Sequence, residues 1–148
     1  MRIINAGLPA VIGVDQAGKI IHQAGSGNLP LGIMDSEYES FKAVEISMRQ
    51  EECFYLYSDG VTEATNGAGQ MWGETGLQHA LQMPLEGESR LEALELALVG
   101  FMGDATQTDD ISVLEYRVSR ALLAVSVVKS ANESVAAILT GGRCFSGT

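Results

Sequence analysis

The chain of 148 residues, 46% of them hydrophobic, is long enough for one domain with a real core and leaves little for a second. Nine basic against nineteen acidic residues give a net charge of −10, which argues against a nucleic-acid surface, and no run of Lys or Arg suits an anionic membrane. Cys53 inside an apolar run and Cys144 near the C-terminus fit reduced, unpaired thiols, and no apolar stretch is long enough to span a bilayer, so a soluble cytoplasmic protein is expected.

In chain order, Met1 to Ala6 and Ala10 to Val14 have the pattern of strands separated by a turn at Gly7-Leu8-Pro9, and Lys19 to Gln23 resumes after Asp15-Gln16-Ala17-Gly18. The Gly-rich stretch from Ala24 to Asn28 and the following Leu29-Pro30-Leu31-Gly32-Ile33 match no phosphate-binding fingerprint and are taken as loop. Ala43 to Met48 alternates as a strand. After the polar turn Arg49-Gln50-Glu51-Glu52, the unbroken apolar run Cys53-Phe54-Tyr55-Leu56-Tyr57 predicts a strand buried on both faces. Asp59-Gly60 ends it: Gly60 permits a positive φ or a close backbone approach, so the chain can turn and leave Asp59 at the rim. Asn66 to Gly69 is a loop, and Trp72 is expected to pack at the start of the next helix.

Thr75 to Met83 and Ser89 to Met102 have the apolar spacing of amphipathic helices. Ser89 and Glu92 make a capping box at the start of the second, and its face of Leu91, Leu94, Leu98 and Phe101 should be buried against the sheet. Asp109 and Asp110 precede Ile111 to Val118, an alternating half-buried strand. Ala121 to Leu139 is small and apolar enough for one more helix, and residues 141–148 have the composition of a flexible tail. His22 and His79 sit in separate elements with no spaced partner ligand.

Two acidic corners on apolar strands therefore stand out, Tyr57-Ser58-Asp59-Gly60-Val61-Thr62-Glu63-Ala64 and Thr108-Asp109-Asp110-Ile111-Ser112. Taken singly, Asp-Gly is a hairpin turn and Asp-Asp a solvated loop. Taken together, Asp59 and Asp109 are candidate ligands of a hard cation such as Mg²⁺, Mn²⁺ or Ca²⁺, since no His or Cys cluster accompanies them. The sequence contains no EF-hand loop, Walker-type phosphate loop, H-E-x-x-H or paired C-x-x-C motif.

In order, Asn5-Ala6-Gly7, Leu29-Pro30-Leu31-Gly32-Ile33, the Tyr57 to Ala64 corner, Trp72-Gly73 and the Thr108 to Ser112 corner resemble the C-terminal half of a PPM-type serine/threonine phosphatase of the bacterial branch typified by the sporulation stage II phosphatase E. The resemblance implies an α+β architecture, a β-sandwich flanked by helices, with residues 1–118 as a partial phosphatase domain, 119–140 as a helical extension and 141–148 as a tail. It further implies a two-ion Mn²⁺ or Mg²⁺ site at one end of the sandwich, where metal-bound water attacks phosphorus. Carried over residue by residue, Asp59 and Asp109 are ligands of one ion and the catalytic pair, Gly60 lets the backbone turn beside it, and Asp110 is an outer group. The implied substrate is a phosphorylated regulatory protein such as an anti-sigma-factor antagonist, and strand edges left by an absent half would favour a homodimer. Three departures from the family pattern matter: the family's first Gly-Asp motif, whose aspartate bridges the ions, has no counterpart; Leu8 replaces a usual histidine, a change expected to weaken contacts near the site; and Trp72 replaces Phe, a packing change. Asp15, Asp35 and Asp104 are possible substitutes for the bridging acid, but each has the setting of a turn or loop residue. The alternative is a non-catalytic module that keeps the fold for partner binding or dimerisation.

Overall fold

The apolar run at the middle of the sequence becomes the middle of the sheet. Cys53, Phe54, Tyr55 and Tyr57 are buried and Leu56 is half-buried, as a strand covered on both faces requires. The structure is a computed structural model that describes residues 1–25, 28–30, 32–33, 41–85, 89–117, 124–129 and 137–140, the last two segments as backbone. Its elements are β1 (Arg2–Ile3), β2 (Val11–Val14), β3 (Ile20–Ala24), β4 (Val44–Glu45), β5 (Cys53–Tyr57), α1 (Asp59–Glu63), α2 (Gly73–Gln82), α3 (Arg90–Met102), β6 (Ser112–Arg117), β7 (Ala124–Lys129) and β8 (Ala137–Thr140). Six strands form an antiparallel sheet in the order β3-β2-β5-β6-β7-β8, while β1 pairs with β4 in a separate ladder.

Alternation along the strands sorts the core into two layers. Ile12, Val14, Cys53, Tyr55, Tyr57 and Val113 face the helices and pack with Leu77, Leu81, Leu91, Leu94 and Leu98. Phe54, Val11 and Ala24 face the other way and meet Ile46, with Ile3 and Met48 packed against them. The larger sheet thus carries α2 and α3 on one face and the small β1–β4 ladder on the other, which is an α+β arrangement of sheets and covering helices.

The expected capping box is present: Glu92 N donates to Ser89 Oγ at 3.1 Å, and Ser89 N donates to Glu92 Oε2 at 3.0 Å. Beside it, the buried Arg90 guanidinium donates to the carbonyls of Leu81 at 2.6 Å and Met83 at 3.0 Å. It thereby satisfies carbonyls that the end of α2 leaves open, and it ties the two helices together. Trp72 packs at the start of α2 with its ring centroid 6.4 Å from that of Phe101, a core role as its position suggested.

Two expectations are corrected. The helix proposed for Ala121 to Leu139 is not formed in its described parts, where β7 and β8 extend the sheet beyond β6 with Val127 opposite Leu114. Val125, Val127 and Val128 are β-branched and fit a pleated surface better than a helix, and β6 would otherwise present an unpaired edge. The N-terminal and Ala43–Met48 strands also shrink to the two-residue pair Arg2–Ile3 and Val44–Glu45. Asp35, Cys144 and the tail over 141–148 lie outside the described residues. Among the described residues no helix is long and apolar enough to cross a membrane.

Candidate metal centre at the two acidic corners

Pairing of β5 with β6 brings the two corners together. Tyr57 lies opposite Val113, and the ladder continues past it, because Ser58 N donates to Ser112 O at 3.0 Å. Just beyond, Asp59-Gly60 on one side and Asp109-Asp110, one residue further on past Ile111, on the other lie at the same end of the sheet. Asp59 opens the short helix α1, where the sequence had indicated a plain turn. Gly60 is buried in that helix, and a Cβ built on it would lie 2.5 Å from the Asp110 carbonyl oxygen and 3.4 Å from Asp109 Cβ. Close approach, and not a positive φ, is the reason for glycine here.

Each corner orients its own carboxylate in the same way. Gly60 N donates to Asp59 Oδ1 at 3.1 Å, and Asp110 N donates to Asp109 Oδ1 at 2.7 Å. Gln107 Nε2 donates to the Asp109 carbonyl at 2.6 Å, which steadies the second loop. Asp59, Asp109 and Asp110 are all exposed, and among the described residues none of them is in a salt bridge; the one ion pair present is Arg117 with Glu115, elsewhere on the sheet. Just behind the first corner, burial and the charge of Glu74 push the Tyr57 hydroxyl up to about 12, so it stays protonated at neutral pH.

The Asn5 loop reaches the same end. Asn5 Nδ2 donates to Pro9 O at 2.8 Å and its Oδ1 accepts from Leu8 N at 3.0 Å, while Asn28 Nδ2 donates to Asn5 O at 2.9 Å. A cleft lined by Asn5, Ala6, Leu8, Leu56 and Tyr57 separates this loop from the end of β5. Leu8 is 50% exposed. Asp15 is elsewhere: it follows Val14, which pairs with Cys53 at the opposite end of β5, and its Oδ1 accepts from Lys19 N at 2.9 Å within a turn. Asp104 is an exposed loop residue after α3.

The donor chemistry of the corners, paired carboxylates at an open rim, fits a hard divalent ion. Among the described residues no group of three or more His, Cys, Asp or Glu is placed to hold a metal. What sequence reasoning missed is Ser58. Its Oγ donates to Asp110 O at 2.8 Å and accepts from Ser112 N at 3.0 Å, linking the two corners directly. The local sequence carries no signal for it, because a serine before Asp-Gly indicates an N-cap and not a cross-strand bond.

Residues 1–119 match the family model described as Stage II sporulation protein E (SpoIIE). No curated protein matches the sequence. Among solved structures, the SiaA-PP2C domain of Pseudomonas aeruginosa is similar with a TM-score of 0.61 and 22% identity, over 77% of this chain and 44% of that one. At that identity the likeness concerns the fold, and the chain spans less than half the length of that structure.

Proposed function

The chain belongs to the SpoIIE family and has the fold of a PPM-type phosphatase domain, and from that premise we propose that its corner end serves metal-dependent removal of phosphate from phosphoserine or phosphothreonine. The observation that supports this reading is that the corners carrying Asp59 and Asp109 lie at one end of the sheet, with Gly60 packed against the Asp110 carbonyl. Asp59 and Asp109 would hold Mn²⁺ or Mg²⁺. Such an ion supplies an activated water and a counter-charge for phosphoryl oxygens. The chain's own part is to fix the two carboxylates: each is oriented by the following backbone amide, and Gly60 lets the corners approach. A phosphorylated regulatory protein of the anti-sigma-factor antagonist type, encountered in the cytoplasm, is the substrate class in this reading. A second copy of the chain is the other partner, since β3 is an outer strand of the sheet.

The donor count favours a second reading for this polypeptide taken by itself, a phosphatase-fold module that binds a partner without turnover. With no group of three or more His, Cys, Asp or Glu placed to hold a metal among the described residues, a second ion lacks a ligand set, and Mg²⁺ or Mn²⁺ gives up its water only to several competing donors. Assays of an aryl phosphate and a phosphoserine peptide with added Mn²⁺ are therefore expected to give turnover near background for the 148-residue polypeptide. Robust turnover that Asp59→Ala abolishes would instead mean that a complete site assembles, within one chain or across two.

A further inference from the structure

We infer that Ser58 is a positioning residue that locks the Asp59 corner to the Asp109 corner, an inference that rests on the phosphatase reading for its purpose and on hydrogen-bond geometry for its existence. Ser58 occupies the N-cap of α1 with extended backbone, φ −79° and ψ 158°, yet its side chain makes no capping bond to that helix. A serine in this place ordinarily accepts from an amide two or three residues on, a contact whose loss typically costs about 0.5–2 kcal/mol. Here the helix amide of Val61 is met by the Ser58 backbone carbonyl at 3.2 Å. The hydroxyl is turned across the sheet, donating to Asp110 O at 2.8 Å and accepting from Ser112 N at 3.0 Å.

That geometry uses both capacities of one hydroxyl on the two residues that flank Ile111. Without it, the carbonyl of Asp110 and the amide of Ser112 lose their cross-strand partner at the point where the β5–β6 ladder ends. The residue after Ser58 is Asp59 and the residue before Asp110 is Asp109, so the hydroxyl sets the spacing between the two carboxylates without touching either. A methyl side chain cannot do this. Threonine keeps the hydroxyl and is the conservative replacement.

The test compares Ser58→Ala and Ser58→Thr with the unaltered chain by residue-resolved amide hydrogen exchange, and by Mn²⁺ titration followed by electron paramagnetic resonance. Ser58→Ala should speed exchange of the Ser112 amide about tenfold, leave the α3 amides unchanged and weaken Mn²⁺ binding several-fold, with Ser58→Thr restoring both. Unchanged Ser112 exchange in Ser58→Ala would overturn the clamp whatever the metal does. Faster exchange with Mn²⁺ affinity unchanged would overturn its positioning role. If the unaltered chain takes up no Mn²⁺, the metal reading fails, and exchange at Ser112 alone decides the clamp.

Discussion

Replacing Leu94 with alanine is expected to lower the stability of the domain by about 2–5 kcal/mol, the range for emptying a large aliphatic site in a packed core. Leu94 is 1% exposed and belongs to the cluster that joins α3 to Leu77 and Leu81 of α2 and to Ile12, Tyr55 and Val113 of the sheet. Cluster members on four other elements leave the cavity little freedom to collapse, because helix and sheet are each held elsewhere by their own hydrogen bonds. Urea unfolding should therefore show a lower midpoint with the slope retained. Leu96, on the same helix but 69% exposed, is the matched control and should change little when truncated. Equal midpoints for Leu94→Ala and the unaltered chain would mean that α3 does not pack on the sheet as described.

Gly60→Ala is expected to damage the corner end more than any other one-carbon change. The added carbon would sit 2.5 Å from the Asp110 carbonyl oxygen and 3.1 Å from its carbon, both backbone atoms, so the second corner itself has to move. Overpacking of this kind typically costs about 1–3 kcal/mol. The displaced segment also carries Asp109, and Mn²⁺ binding should fall with stability. Gly67→Ala, at a glycine with nothing within 4 Å of the added carbon, serves as the control and should leave both properties intact. Thermal melts and Mn²⁺ titrations that rank Gly60→Ala with Gly67→Ala would show that the corners are not in contact at Gly60.

The strongest signals in the sequence were the ones with local causes. Cys53–Tyr57 was legible as a strand because a short apolar run between polar turns has few other fates, and Ser89 with Glu92 marked the start of α3 because the capping box is a contact between near neighbours. The segment from 121 to 139 was misread because Ala and Leu counted toward a helix, while the open edge of β6, a tertiary fact, draws Ala124–Lys129 into the sheet. Asp59 and Asp109 were visible as acids at strand ends, and the β5–β6 register brings their corners to one end of the sheet. Ser58 and Arg90 were not visible as structural hubs: one bonds across to residues 110 and 112, the other to carbonyls of residues 81 and 83, and nothing in their own neighbourhood announces those partners.

The central claim, that both acidic corners bind one hard cation, is tested most directly by paramagnetic broadening of amide NMR signals as Mn²⁺ is added below stoichiometry. Asp59, Gly60, Asp109 and Asp110 should broaden together and first, while the Asp15 turn at the opposite end of β5 stays sharp. Asp59→Asn, which keeps the side chain's size and removes its charge, should abolish the broadening at both corners. Broadening confined to one corner, or centred on other acids and unaffected by Asp59→Asn, would contradict the shared site.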